Sequence, residues 1–115
     1  MSYITGFLTP VPNANKARYI QSAQVAWPLF QKYGALKQVE AWGQDITDGK
    51  TTDFKRAVKL EDGEQVVLSW VIWPDKATAD AAWEKMQEDP AMKEFDMPFD
   101  GKRMIWGGFQ TIFES

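Results

Sequence analysis

The 115-residue sequence contains neither cysteine nor histidine. Without thiols there are no disulfides, thiolate nucleophiles, iron–sulfur clusters or Cys-type zinc sites. Without imidazole there is no Ser-His-Asp triad, and the usual neutral-pH acid–base group and commonest transition-metal ligand are missing as well. Proton chemistry then falls to carboxylates, Lys, Arg, Tyr or a bound cofactor. Basic residues are also scarce, 13 against 16 acidic ones, for a net charge of −3 and a pI of about 4.9. That balance argues against a broad phosphate-binding surface, so no nucleic-acid partner is expected. No apolar run approaches the roughly 18 residues of a membrane span. The first ten residues have neither the basic start nor the apolar stretch of an export signal, and a cytoplasmic protein with no membrane partner is expected. A chain of this size buries a core without staples, and residues 1–115 read as a single domain.

Aromatic residues are plentiful by contrast, with six Trp, seven Phe and three Tyr. Tyr3 to Thr9 has the β-branched and aromatic character of a strand, closed by Pro10 and Pro12. Asn13 or Asn15 is placed to cap the next element. There Tyr19, Ile20, Ala23, Ala26, Trp27, Phe30 and Tyr33 recur at helical spacing until Gly34. Pro28 removes one hydrogen bond inside that helix and predicts a kink or a second short helix. Ala35 to Trp42 alternates as a strand, Gly43 to Asp53 reads as a loop, and Phe54 to Leu60 is a candidate extension of the sheet. Asp62-Gly63 supplies a hairpin turn into a strand from Gln65 to Trp73. Asp75 is a good N-cap for a second helix with Ala79, Ala82, Trp83 and Met86 on its inner stripe, ending near Asp89-Pro90. A further turn over Ala91 to Phe95, a turn at Met97 to Gly101 and a last strand from about Lys102 to Phe113 complete the chain.

The order strand, helix, strand, strand, helix, strand is that of an α+β, ferredoxin-like βαββαβ fold, with two helices on one face of a four-stranded antiparallel sheet. Between Val66 and Trp73 only Ser69 is polar. Such a strand is apolar on both faces, whereas a sheet with one wet face alternates. The helices cover one side and the chain has no further element for the other, so a second copy, making a homodimer, is the simplest cover.

Five segments carry a resemblance: Tyr3-Ile4-Thr5-Gly6-Phe7, Pro28 to Leu36, Val39 to Gly43, Asp48 to Phe54 and Met97 to Ile105. Together they make the chain resemble the YbaA-like family of uncharacterised bacterial proteins, placed with the dimeric alpha+beta barrel proteins. The resemblance implies a homodimer with two facing sheets. It does not imply an activity, because the wider superfamily includes cofactor-free monooxygenases, haem-using enzymes and plain binding proteins. Haem-linked members ligate iron through His, which is absent here, and no cofactor is expected.

Asp45, Asp48 and Asp53 offer oxygen ligands, but their spacing does not match a calcium loop and no metal is expected. Glu40 lies on a strand beside Trp42, where a carboxylate in a partly dry site would have a raised pKa and serve as a base. Asp100, Lys102 and Arg103 follow Phe99. Arg103 could grip a carboxylate or phosphate in its planar fork, and Asp100 could orient it or accept a proton. Trp70 and Trp106 fall on central strands and are candidates for a pocket or an interface. Gly107-Gly108 predicts a bulge or a close approach. Three functions compete. One is a dimer that binds an apolar or aromatic small molecule with an acidic group, using Trp42, Trp70, Phe99, Lys102, Arg103 and Trp106. The second is a cofactor-free monooxygenase- or isomerase-like enzyme with Glu40 or Asp100 as base. The third is a dimeric protein-interaction module with an exposed apolar patch.

Overall fold

The apolar run before Pro74 forms the central strand of the sheet. In the computed structural model, which describes residues 2–115, it is β3 (Glu64–Trp73) and stands between β2 (Lys37–Trp42) and β1 (Tyr3–Pro12). β4 (Ile105–Gln110) lies beyond β1, giving the antiparallel order β2-β3-β1-β4. Two long helices, α1 (Lys16–Lys32) and α3 (Lys76–Glu88), complete the ferredoxin-like arrangement, with a one-turn helix α2 (Phe54–Ala57) in the connection between β2 and β3.

Register assigns the two faces. Tyr3 pairs with Trp73, Thr5 with Val71, Phe7 with Ser69 and Thr9 with Val67. Side chains alternate along a strand, so these residues share a face, and on it Val71 and Trp73 form a buried cluster with Ala35, Ala79 and Ala82. The opposite face carries Leu8, Leu68, Trp70, Val39, Ile105 and Phe109, and none of the long helices covers it. Leu68 is 43% exposed and Phe109 is 58% exposed. The doubly apolar β3 inferred from the sequence is thus real, with one side packed and one side bare.

Several local expectations are corrected. Pro10 and Pro12 do not end β1 but lie within it, opposite Val66 and Glu64. β4 pairs with β1 only as far as Leu8, and the Asn13 amide donates toward β3, to the Gly63 carbonyl at 2.8 Å. By alternation, the nitrogens of Pro10 and Pro12 face the unpaired edge, where a missing N–H removes no ladder bond. Phe54 to Leu60 is not a strand, because the Asp53 side chain accepts from the Arg56 amide at 2.8 Å and caps a helical turn instead. Asn15 gives α1 no side-chain cap, since its amide donates to the Pro98 carbonyl at 3.0 Å. α1 runs uninterrupted through Pro28. The last strand is shorter than expected, and its Gly107 and Gly108 keep regular register opposite Gly6 and Thr5. A Cβ at Gly108 would collide with the Tyr3 ring and hydroxyl. Close approach, not a bulge, therefore requires the glycine.

Candidate functional site

The helix-facing side of β2 and β3 brings three polar side chains to one point under α1. Glu40 is opposite Ser69, and Gln38 is opposite Val71. Tyr19, from the first turn of α1, reaches down to donate its hydroxyl to Glu40 Oε1 at 2.5 Å, and Ser69 donates to the same oxygen at 2.6 Å. Gln38 Nε2 donates to Glu40 Oε2 at 3.0 Å. Burial, together with the Glu40 charge and hydrogen bond, pushes the Tyr19 hydroxyl far above its ordinary value of 10.0. It is a fixed donor at any physiological pH.

Beside this cluster is a cavity of about 130 Å³ whose apolar wall includes Phe7, Phe30, Val71, Phe95, Phe99 and Met104, and whose polar wall is Tyr19, Gln38, Glu40 and Ser69. Gln38 Oε1 is buried in that wall with no hydrogen-bond partner among the described residues. The cavity gives onto a more open groove of about 520 Å³ between α1 and the β2 edge, which shares Ala23, Gln38 and Glu40 and adds Ile20, Trp27, Leu36 and Lys37.

The segment that brings Phe95, Phe99 and Met104 over the cavity is strapped to α1. Arg18 makes two hydrogen bonds through its NH2 group to the Asp96 carboxylate at 2.9 and 3.1 Å. Ser22 Oγ donates to the Asp96 carbonyl at 2.5 Å, and Asn15 holds the Pro98 carbonyl. Two residues of α1, Arg18 and Ser22, and Asn15 just before it thus fix the roof of the cavity.

The residues singled out from the sequence are dispersed by the fold. Glu40 and Phe99 meet in the cavity wall. Glu40 as a whole is exposed, and both of its oxygens accept hydrogen bonds; the dry, free base that the enzyme reading required is not what this geometry presents. Trp42 shares the Glu40 face but packs against Val11, Tyr19 and Val67, with Lys16 Nζ 5.1 Å from its ring centre. Trp70 is on the bare face. Trp106 packs against Trp83 of α3, the rings tilted by 36° with their centres 5.3 Å apart. Lys102 and Asp100 are exposed, and the Asp100 side chain accepts from the Lys102 amide.

Arg103 is held among three carboxylates and a carbonyl. Its Nε donates to Asp100 at 2.9 Å, and its NH1 group donates to the Lys59 carbonyl at 3.0 Å and to Glu64 at 2.7 Å. Its NH2 group donates to Glu64 at 2.6 Å and lies 3.4 Å from Glu61. A guanidinium has five N–H donors; four of them make these hydrogen bonds, and the fifth lies beside the Glu61 carboxylate. The Arg103 hydrogen bonds hold the carboxyls of both Glu64 and Asp100 below their ordinary range. No free fork is left for an incoming anion.

Tyr19, Gln38 and Ser69 are the functional candidates that sequence reasoning passed over. Ser69 carried a signal, as the lone polar residue in the β3 run. Gln38 and Glu40 carried another, two residues apart on one strand and therefore on one face.

Among solved structures, a dimeric ferredoxin-like protein from an uncultured marine organism superposes over the full length of both chains, with a TM-score of 0.63 at 11% identity. That likeness concerns the fold alone. The uncharacterized protein YbaA of Escherichia coli strain K12 is 53% identical over 116 residues, covering 99% of each chain, and YbaA of Shigella flexneri matches to the same extent. A family model described as "Protein of unknown function (DUF1428)" matches residues 2–101, and this chain belongs to that family.

Proposed function

We propose that the protein is a two-fold homodimer, its bare sheet faces packed together, in which each copy binds a small apolar molecule through a hydrogen-bond-donating or cationic head group in the Tyr19–Glu40 cavity. The observation that carries the ligand reading is Gln38 Oε1, a buried acceptor without a partner in a cavity wall. Buried polar atoms are rarely left so. Turning the amide over does not remove the problem, since Oε1 would then face Glu40 Oε2, acceptor against carboxylate. A ligand donor satisfies it, and a cationic one gains from Glu40.

The acidic head group expected from the sequence is not favoured, since Arg103 is already paired with carboxylates and Glu40 repels an anion. Size limits the body of the ligand. A cavity of about 150 Å³ holds a benzene-sized ring, and this one is about 130 Å³. One ring or a short branched chain fits; a flavin or haem does not.

The dimer reading is supported by the bare face and by the dimeric structural neighbour. Leu68, Ile105 and Phe109 surround a dent of about 260 Å³ floored by Gly6 and Gly107, which fits an apolar side chain from a second copy.

The test is a titration followed by 1H–15N NMR, with benzylamine, phenylacetate and toluene as probes. Saturable shifts at Gln38, Glu40 and Ser69 with benzylamine, and none with phenylacetate, are expected. Binding of phenylacetate in preference to benzylamine would overturn the ligand assignment, and a monomer by light scattering would overturn the dimer.

A further inference from the structure

The cavity and the groove between α1 and the β2 edge share Ala23, Gln38 and Glu40 as lining. Ala23, one turn beyond Tyr19 on α1, puts only a methyl group at that junction. The polar atoms of Gln38 and Glu40 therefore stand at a neck with an apolar space on either side. One is the ring-sized cavity under Phe99. The other is the groove, walled by Ile20, Trp27 and Leu36, of which Ile20 is 49% and Leu36 61% exposed.

Neither the chain's own tail nor a second copy fills that groove. The exposed pair Ile112 and Phe113 follows Thr111, whose amide donates to the Ser2 carbonyl at 3.2 Å, beside β1 and β4 and away from the β2 edge. Gln38 and Glu40 are on the helix-facing side of the sheet, whereas the second copy proposed above packs on the bare side.

We infer, resting on the cavity reading above, that the ligand is a secondary amine with two apolar arms. Its ammonium nitrogen sits at the Gln38–Glu40 neck, one ring-sized arm enters the cavity, and the second arm lies along the groove against Trp27 and Leu36.

Donors and acceptors match. Gln38 Oε1 has no partner among the described residues. Glu40 Oε2 accepts from Gln38 Nε2 at 3.0 Å and keeps room for a second donor, since a carboxylate has about four acceptor sites. Gln38 Oε1 and Nε2 belong to one amide, so a single nitrogen reaches both acceptors. A secondary ammonium brings two N–H donors, two substituents and a charge that Glu40 attracts. A primary ammonium leaves a donor unmatched and the groove empty, and a tertiary one has a single N–H for two acceptors. Charge also limits the second arm. Lys37 in the groove wall disfavours a further cation there and Glu40 disfavours a carboxylate, so the arm is neutral.

The test compares N-methylbenzylamine with dibenzylamine on the parent protein, by calorimetry and 1H–15N NMR. The two share the secondary nitrogen and the first ring and differ in the second arm. Dibenzylamine is expected to bind at least about tenfold tighter, the gain from taking about 60 Å² of apolar surface out of water, and to shift the Trp27 side-chain and Leu36 amide resonances. In Leu36→Ser, which alters an exposed side chain, the ratio should fall to about threefold or less. Saturable benzylamine binding with equal affinities for the two secondary amines overturns this inference and leaves the cavity reading intact. A tighter dibenzylamine complex that leaves Trp27 and Leu36 unshifted, or an undiminished ratio in Leu36→Ser, places the second arm elsewhere and also overturns it. Binding of none of the three amines overturns both readings.

Discussion

Tyr19 and Glu40 are joined by a 2.5 Å hydrogen bond from the phenol to the carboxylate, linking the first turn of α1 to the edge strand of the sheet. The bond has two consequences. It positions the carboxylate on which Ser69 and Gln38 also converge, and it fixes the proton on Tyr19.

Tyr19→Phe removes the donor and leaves the ring in place. A hydrogen bond to a charged acceptor contributes about 1.5–3 kcal/mol, but Glu40 is partly exposed, which lowers the expected loss to about 1 kcal/mol. Urea unfolding checks it. The substitution also changes behaviour at alkaline pH. The folded Tyr19 hydroxyl titrates well above its ordinary 10.0, so its contribution is complete below that value and is lost as pH rises from 10.0 toward the folded value. Stability of the parent protein should fall more steeply above pH 10.0 than that of the variant; parallel curves would show that Tyr19 is not the titrating group.

Arg103→Ala separates a structural role from anion binding. The substitution strands Glu64, whose side chain is only 9% exposed, and leaves Asp100 and Glu61 without their cation. A clear fall in Tm at neutral pH is expected, with benzylamine binding retained. The Glu64 and Asp100 carboxyls are held below their ordinary 4.5 and 3.8, so the network stabilises the fold above those values and fades as pH drops through the lower folded ones. The variant should therefore show a shallower acid dependence of Tm.

Much of this frame is legible in the sequence because single residues dictate it. Asp75 caps α3 through the Thr78 amide at 2.7 Å, Gly34 takes a φ of 107° where α1 stops, and β3 announces two apolar faces. What was not legible depends on context. Asp53 turned a β-like run into a helical turn, a free strand edge admitted Pro10 and Pro12, and Arg103 found three carboxylates, of which two lie about 40 residues away in sequence. The polar cluster was hidden for a similar reason. Tyr19 sits in the apolar stripe of α1 and reads as core, and only the packing of α1 over β2 shows that its hydroxyl ends beside Glu40.

Asp89 joins the ends of α1 and α3. It accepts from the Tyr33 hydroxyl at 2.6 Å, from the Ala91 amide at 2.9 Å and from Lys32 at 3.1 Å, and its side chain is 8% exposed. Led by the Tyr33 hydrogen bond, these donors hold its carboxyl at about 2, against an ordinary 3.8. A depressed carboxyl stabilises the fold above its unfolded value and loses that contribution as pH falls through the folded one. Thermal melts should show Tm falling between pH 3.8 and 2, and Asp89→Asn should start lower and lose less over that window. An equal loss in the variant would assign the acid dependence to other carboxylates.

Leu68→Asp tests the bare face. Leu68 is on the central strand, opposite Leu8 on one side and Ala41 on the other, and its side chain points away from both long helices. In a lone copy the substitution exchanges an exposed Leu for an exposed Asp, so the circular dichroism spectrum and monomer fold should be kept. In a dimer built on this face the carboxylate would be buried without a partner, which costs several kcal/mol. Each 1.4 kcal/mol is a tenfold change in affinity, so dimerisation should weaken by about a hundredfold or more. Analytical ultracentrifugation across a concentration series reads it. A folded variant that dimerises as tightly as the parent would place the interface elsewhere.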